Sequence, residues 1–293
     1  MHARKGVLRT FLAIAVLFSP GVIQADDADA LRARHAALRE QLASNPFGRP
    51  LHVLSKEEPG EHQGEVFAIL DKPYAQVGPA LRRLGHWCDI LILQANVKHC
   101  EASTADASLR FFVARRPTDS VDRAYGVDFR YEVTEPQADY LRVALTSANG
   151  PADTSDYRIV LKAAALDGRR TFLHMSYSYR LGFSARVAMK TYLATSGRDK
   201  VGFSIVDRLP DGRPVYVDGV RGIVERSTMR YYLAIEAFLD ALDAPSARRL
   251  DTRLRNFHAA LERHPRQLRE LRLEEYLQLK RGDAARLAQA PQQ

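Results

Sequence analysis

From residue 90 to residue 179 the chain repeats one pattern, short apolar or β-branched runs separated by turn residues, and no other feature restricts the fold as much. The runs are 90–93, 97–100, 109–113, 127–133, 140–146, 157–163 and 171–179. In the fourth, Val127, Phe129, Tyr131 and Val133 alternate with Asp128, Arg130 and Glu132, the period-two signature of a strand with one face in a core and one in water. Asn149-Gly150-Pro151 and Asp167-Gly168 are turn sequences. Strands this closely connected pair as antiparallel neighbours, so a meander is expected.

Helical patterns flank this block. Leu31, Leu38 and Leu42 predict an amphipathic helix over 27–43, stopped by Asn45-Pro46-Phe47-Gly48-Arg49-Pro50. After a polar stretch, 64–70 reads as a first strand. Asp71-Lys72-Pro73 then turns the chain into a helix carrying Val77, Ala80, Leu81 and Leu84, which leads to Trp87. Beyond Tyr179, a short helix is expected over 185–194, and a hairpin within 200–219 turning at Asp211-Gly212. Thr228, Tyr232, Ile235, Leu239 and Leu242 recur at intervals of three and four, the mark of a long helix with a buried face. A further helix follows, capped by Ser246 and bearing Leu250, Leu254, Phe257 and Leu261. Pro265 separates it from a last one over 268–279.

This order of elements resembles the START-like (SRPBCC, helix-grip) superfamily. The residues that carry the resemblance are 64–70 with Pro73, Tyr74, Val77, Leu81, Trp87 and Ile90 at the front, and 171–179 with the helix 224–242 at the back. The resemblance implies an α+β fold in which a curved antiparallel sheet wraps a long C-terminal helix and encloses an apolar cavity. Lipids, sterols, polyketides and other hydrophobic molecules are the usual occupants in that superfamily. The expected organisation is a signal peptide over 1–25, an N-terminal helix and loop over 26–60, the START-like domain over 61–245 and a helical extension over 246–293. Two departures stand out: the long segment 182–222 before the grip helix, and the extra helices at both termini.

The first twenty-five residues set the compartment. Arg4, Lys5 and Arg9 precede the apolar run 11–18, Pro20-Gly21 breaks it, and Ala25 offers the small residue that a signal peptidase requires, so cleavage is expected before Asp26. An apolar run of about eight residues falls short of the roughly twenty that span a bilayer. The chain is therefore expected to be exported across the inner membrane into the periplasm. Removing three basic residues and no acid reduces the formal charge from +8 to +5. Such a mild and scattered excess, in an exported protein, predicts no nucleic-acid partner. The arginines between 248 and 272 read as solvated helix faces, with weak contact to an anionic membrane surface as the alternative.

Cys88 and Cys100 are the only cysteines. In an exported chain an even count favours a structural disulfide, worth about 3 kcal/mol for a loop of this length. His86 and His99 lie beside the pair but lack the short spacings of a zinc site, so no metal and no cofactor is expected.

No nucleophile elbow, phosphate loop, dinucleotide fingerprint or HExxH helix is present. The richest candidate lining is the strand 171–179, where Leu173, Met175, Tyr177 and Tyr179 point one way, and Phe172, His174, Ser176 and Ser178 the other. These side chains either fill an ordinary core or, with Phe129, place Met175 and Tyr177 on a ligand cavity. Arg230 belongs either to a surface ladder, with Arg221–Glu225 and Arg226–Arg230 at i,i+4, or to a pocket where it would hold a carboxylate or phosphate. Asp89 next to Trp87 either caps a turn or, if desolvated, serves as a general base. The leading expectation is a protein that binds a hydrophobic small molecule or lipid through Phe129, Met175, Tyr177 and Arg230. The rivals are an enzyme of the same fold using Asp89, Tyr177 or Arg230, and an envelope protein with a filled core that binds another protein.

Overall fold

The structure is a computed structural model that describes residues 21–58, 60–195 and 197–289. The chain begins with α1 (Gly21–Ala37) and α2 (Arg39–Ala43), followed by strands β1 (Leu51–Glu58) and β2 (Glu61–Leu70). Two helices, α3 (Tyr74–Arg82) and α4 (Leu84–Leu91), lead into a meander of β3 (Val97–Ser103), β4 (Ser108–Val113), β5 (Tyr125–Val133), β6 (Tyr140–Asn149), β7 (Thr154–Ala165) and β8 (Thr171–Leu181). Then come α5 (Phe183–Ala194), the hairpin β9 (Ile205–Arg208) and β10 (Pro214–Tyr216), the long α6 (Gly219–Asp240), and α7 (Ser246–Glu262), α8 (Pro265–Leu268) and α9 (Leu273–Gln289).

The main sheet is antiparallel, in the order β1-β2-β8-β7-β6-β5-β4-β3. The meander runs across it hairpin by hairpin, as its short connections require, and β2 closes onto β8 because α3 and α4 carry the chain over the intervening distance. On β8 the inward set is the one that the alternation predicts: Leu173, Met175, Tyr177 and Tyr179 are all buried in the main core. The hairpin at Asp211-Gly212 forms as expected, with Gly212 at φ 83° in the turn.

Three elements differ from the sequence reading. Residues 90–93, expected as a strand, end helix α4 and its following turn. Trp87, Cys88, Ile90 and Leu91 bury one side of that helix, and a short apolar run carries the same signal in either structure. The helix leading to Trp87 is two helices, because Arg83 adopts an extended conformation between them. Finally, 51–58, placed in an N-terminal loop outside the domain, is the edge strand β1. Its inward Leu51 and Val53 alternate correctly, but the polar Lys56-Glu57-Glu58 end masks the pattern. The sheet therefore begins at residue 51 rather than 61. Smaller still, Pro245 rather than Ser246 occupies the cap position of α7.

The long helix α6 packs on the concave face, mainly against β2, with β1 and β8 beside it. Gly64 makes this approach possible: a Cβ there would stand 2.2 Å from Thr228 Oγ1 and 3.0 Å from the Val224 carbonyl oxygen. Arg49, just before β1, fastens the same helix through Tyr232 Oη at 2.7 Å and a two-pronged pairing with Glu236. Helices α7 and α9 do not hang off this body, since Leu254, Phe257, Leu261, Tyr276 and Leu277 share its core. Cys88 on α4 and Cys100 on β3 have Cα atoms 5.4 Å apart and sulfurs at disulfide distance, tying the helix pair to the far edge of the sheet.

On the convex face, Ala28, Leu31, Leu38 and Leu42 pack against Phe67, Tyr140, Ala164 and Phe172. There His174 stacks on Phe67 with ring centroids 4.3 Å apart and meets Glu65 at 2.9 Å, which holds the Glu65 carboxyl below its ordinary range. Residues 1–20 of the expected signal peptide lie outside the described residues. Helix α1 runs across the expected cleavage bond between Ala25 and Asp26.

Candidate functional site

Because α6 lies over one end of the sheet, the concave faces of β4, β5 and β7 are left partly uncovered, and a cavity of about 650 Å³ remains between them and the helix. Its sheet side is aromatic and apolar: Phe111, Val127, Phe129, Tyr157, Ile159 and Tyr177. The opposite side is α6, through Arg226, Ser227, Arg230 and Tyr231, and the segment 269–271 closes one end. The volume lies within the roughly 300–1,000 Å³ typical of small-molecule sites.

The aromatic wall is a continuous set of ring contacts. Centroids are 5.0 Å apart for Phe111 and Phe129, 6.3 Å for Phe129 and Tyr157, 6.2 Å for Tyr157 and Tyr177, and 5.1 Å for Tyr177 and Tyr231. Alternation makes this wall, since inward positions on adjacent strands stack side by side, as Ile159 does opposite Tyr177. Burial pushes the Tyr177 and Tyr231 hydroxyls well above the ordinary tyrosine value. Both are therefore neutral groups at physiological pH, able to donate or accept a hydrogen bond.

Of the four residues expected to bind ligand, the structure brings three to this cavity: Phe129, Tyr177 and Arg230. Met175 is not among the lining residues. It sits fully buried between Val66 and Leu161 on the neighbouring strands, one inward position further along β8, where the core is filled. Asp89 does not meet the cavity either. Its carboxylate pairs with Arg253 at 2.8 Å and remains partly exposed, while Trp87 donates its indole N–H to Leu81 O at 2.9 Å. The condition for a desolvated base at Asp89 is not met.

The expected surface ladder on α6 is also overturned. Glu225 is fully buried and accepts hydrogen bonds from the Phe203 and Ser204 amides at 2.6 and 2.9 Å, Ser204 Oγ at 2.7 Å and Ser55 Oγ at 2.6 Å. It anchors the segment before β9, which needs Gly202 for its close approach, since a Cβ there would stand 2.6 Å from Glu225 Oε2 and 3.0 Å from the Gly222 Cα. Arg226 is 6% exposed, and its Nε donates to Gln267 O at 2.7 Å. Arg230 pairs with Glu270 at 2.7 Å and donates to Leu268 O at 3.1 Å.

Sequence reasoning missed Tyr157, Tyr231, Lys200 and the inward direction of Arg226. A usable signal was present: Arg226-Ser227 and Arg230-Tyr231 recur four residues apart, one position beside the stripe of Val224, Thr228 and Tyr232 that enters the core. Among the described residues, no group of three or more His, Cys, Asp or Glu could hold a metal ion. His86 Nδ1 lies 2.7 Å from Ala80 O and His99 Nε2 3.2 Å from Glu101.

A sheet gripping one long helix, with a helix pair inserted after its closing strand, decides the fold class. The fold is a helix grip, an antiparallel sheet wrapped around one long helix. No family model matches the chain, and no curated protein matches it significantly. Similar solved structures include the Zhui aromatase/cyclase from a Streptomyces species, 12% identical over 69% of this chain and 95% of that one, with a TM-score of 0.34. Ara h 8.0201 is 12% identical over 62% of this chain and 99% of its own, with a TM-score of 0.35. Norcoclaurine synthase from Thalictrum flavum is 8% identical over 48% and 89%, with a TM-score of 0.33.

Proposed function

We propose that this protein is exported and binds a hydrophobic small molecule or lipid in the cavity between the sheet and α6. The observation that carries the reading is the aromatic wall itself. Phe111, Phe129, Tyr157, Tyr177 and Tyr231 border a cavity of some 650 Å³. A concave site of this volume with a largely aromatic and apolar wall and a few polar groups opposite it has the make-up of a small-molecule site. A filled-core interaction protein would have closed that space. The neutral tyrosine hydroxyls favour holding a ligand over abstracting its proton. Export rests on the N-terminal segment, and the cysteine pair supports it, because such bridges persist in oxidising compartments.

Native mass spectrometry of protein purified from its own cells tests both parts. The expected result is a chain beginning at Asp26 that carries a bound mass extractable into organic solvent. A chain that is consistently empty after native purification would remove the ligand reading, and one that retains residues 1–25 would remove export.

A further inference from the structure

The geometry points to a ligand with an anionic head, a carboxylate or a phosphate, seated against Arg226 where two lobes of the cavity meet. This inference rests on the reading of the cavity as a ligand site. A second lobe of about 540 Å³, bounded by α5, adjoins the first, and both are lined by Asn96, Arg115, Tyr192, Arg226, Ser227 and Arg230. Lys200 and Arg269 border the first lobe as well. Among the described residues, Glu270 is the only acid lining either lobe, and Arg230 already engages it at 2.7 Å.

Arg226 is the centre of this collar. Among the described residues it makes no ion pair, and its only hydrogen bond leaves both terminal guanidinium nitrogens without a protein acceptor. Beside it, Arg230 Nε is buried with no partner. An arginine does not shed its proton, so it cannot escape burial by becoming neutral as a lysine can. Lys200 nearby reports the same crowding of positive charge, its ammonium driven below the ordinary lysine value by burial and by the charge of Arg226 and Arg230. The Arg226 guanidinium thus lines both lobes with no carboxylate of the described residues paired to it. A carboxylate or phosphate presents the paired oxygens that a guanidinium fork accepts. The aromatic wall running from Tyr231 and Tyr177 to Phe129 then receives the apolar body.

The test is calorimetric titration of the delipidated protein, at low salt, with three probes of one tail length: decanoate, monodecyl phosphate and decanol. Both anions should bind about tenfold or more tightly than the alcohol, the scale of a charge-assisted hydrogen bond. Arg226→Met should lose most of that preference, with thermal unfolding confirming that it is folded. A preference for decanoate would assign a fatty-acid head, and one for monodecyl phosphate a phospholipid-type head. If decanol binds as tightly as the anions, or Arg226→Met keeps the preference, the anion site is overturned while the apolar cavity stands. If no probe binds, both readings fail.

Discussion

At the contact of α9 with β3, Lys98, Lys280 and Asp283 are all essentially inaccessible and all engaged, whereas at the cavity Arg226 is almost as deeply buried and engaged through one nitrogen only. In the first region Lys280 donates to Val97 O at 2.5 Å and to Asp283 at 2.7 Å, Lys98 reaches the Pro117 carbonyl and lies 3.8 Å from Asp283, and Arg286 pairs with the other carboxylate oxygen. Tyr276 adds a hydrogen bond to Leu93 O at 2.8 Å. Charge in that region docks the last helix onto the sheet. Charge at the cavity fastens the segment 267–270 to α6 through Arg230 and the Nε of Arg226, but the rest of the Arg226 guanidinium has no partner among the described residues. Glu225 sharpens the contrast, because it adjoins Arg226 in sequence, is equally buried, and accepts four hydrogen bonds.

The largest effect should come from removing the shared anion of the docking cluster. Asp283→Ala leaves Lys98 and Lys280 buried side by side without their carboxylate, and should cost about 3–5 kcal/mol in chemical denaturation. A loss below about 1 kcal/mol would mean that water reaches these ammonium groups and that the cluster does not hold α9 in place. A second pair of substitutions compares neighbours on α6. Glu225→Gln should destabilise by about 2–3 kcal/mol through its buried amide and hydroxyl partners, whereas Arg226→Met in ligand-free protein should be neutral or stabilising by about 1 kcal/mol or more. Equal losses for the two would erase the distinction between charge that builds the fold and charge that faces the cavity.

The last comparison is made through pH. Burial lowers the Lys280 ammonium to about 8 from an ordinary 10.5, so between those values the unfolded chain binds more protons than the folded one. Folding stability from this group should therefore rise with pH across that window and be flat below it. Glu65 has the opposite sense at acid pH. Its depressed carboxyl contributes stability above the ordinary carboxylate range, and that contribution is lost as pH falls through the lowered value. Following denaturation midpoints against pH for Lys280→Met and Glu65→Gln should flatten the alkaline and the acid limb respectively. Unchanged limbs would show that neither group is linked to folding.

Much of this was written in local pattern. The alternation at 127–133 and 171–179, the turn residues between strands and the three-and-four spacing from Thr228 to Leu239 each report a face, and a face is what an amphipathic element must bury. That is why the meander, the grip helix, the inward set of β8 and two aromatic wall positions, Phe129 and Tyr177, were legible. Where pattern is ambiguous it misled: 90–93 is apolar on every side, and β1 ends in charges that water accepts at an edge.

What the sequence determined by itself, then, is which residues turn inward. What only the tertiary structure decided is how the inward space is divided. Met175 and Tyr177 share a face of one strand, yet one is core and the other cavity wall, because α6 leans toward β2 and leaves β4, β5 and β7 partly uncovered. Glu225 and Arg226 are adjacent charges with the same local prospects. One meets the backbone of the segment before β9 and the other meets open space, because partners for a buried charge are supplied by chain that is distant in sequence.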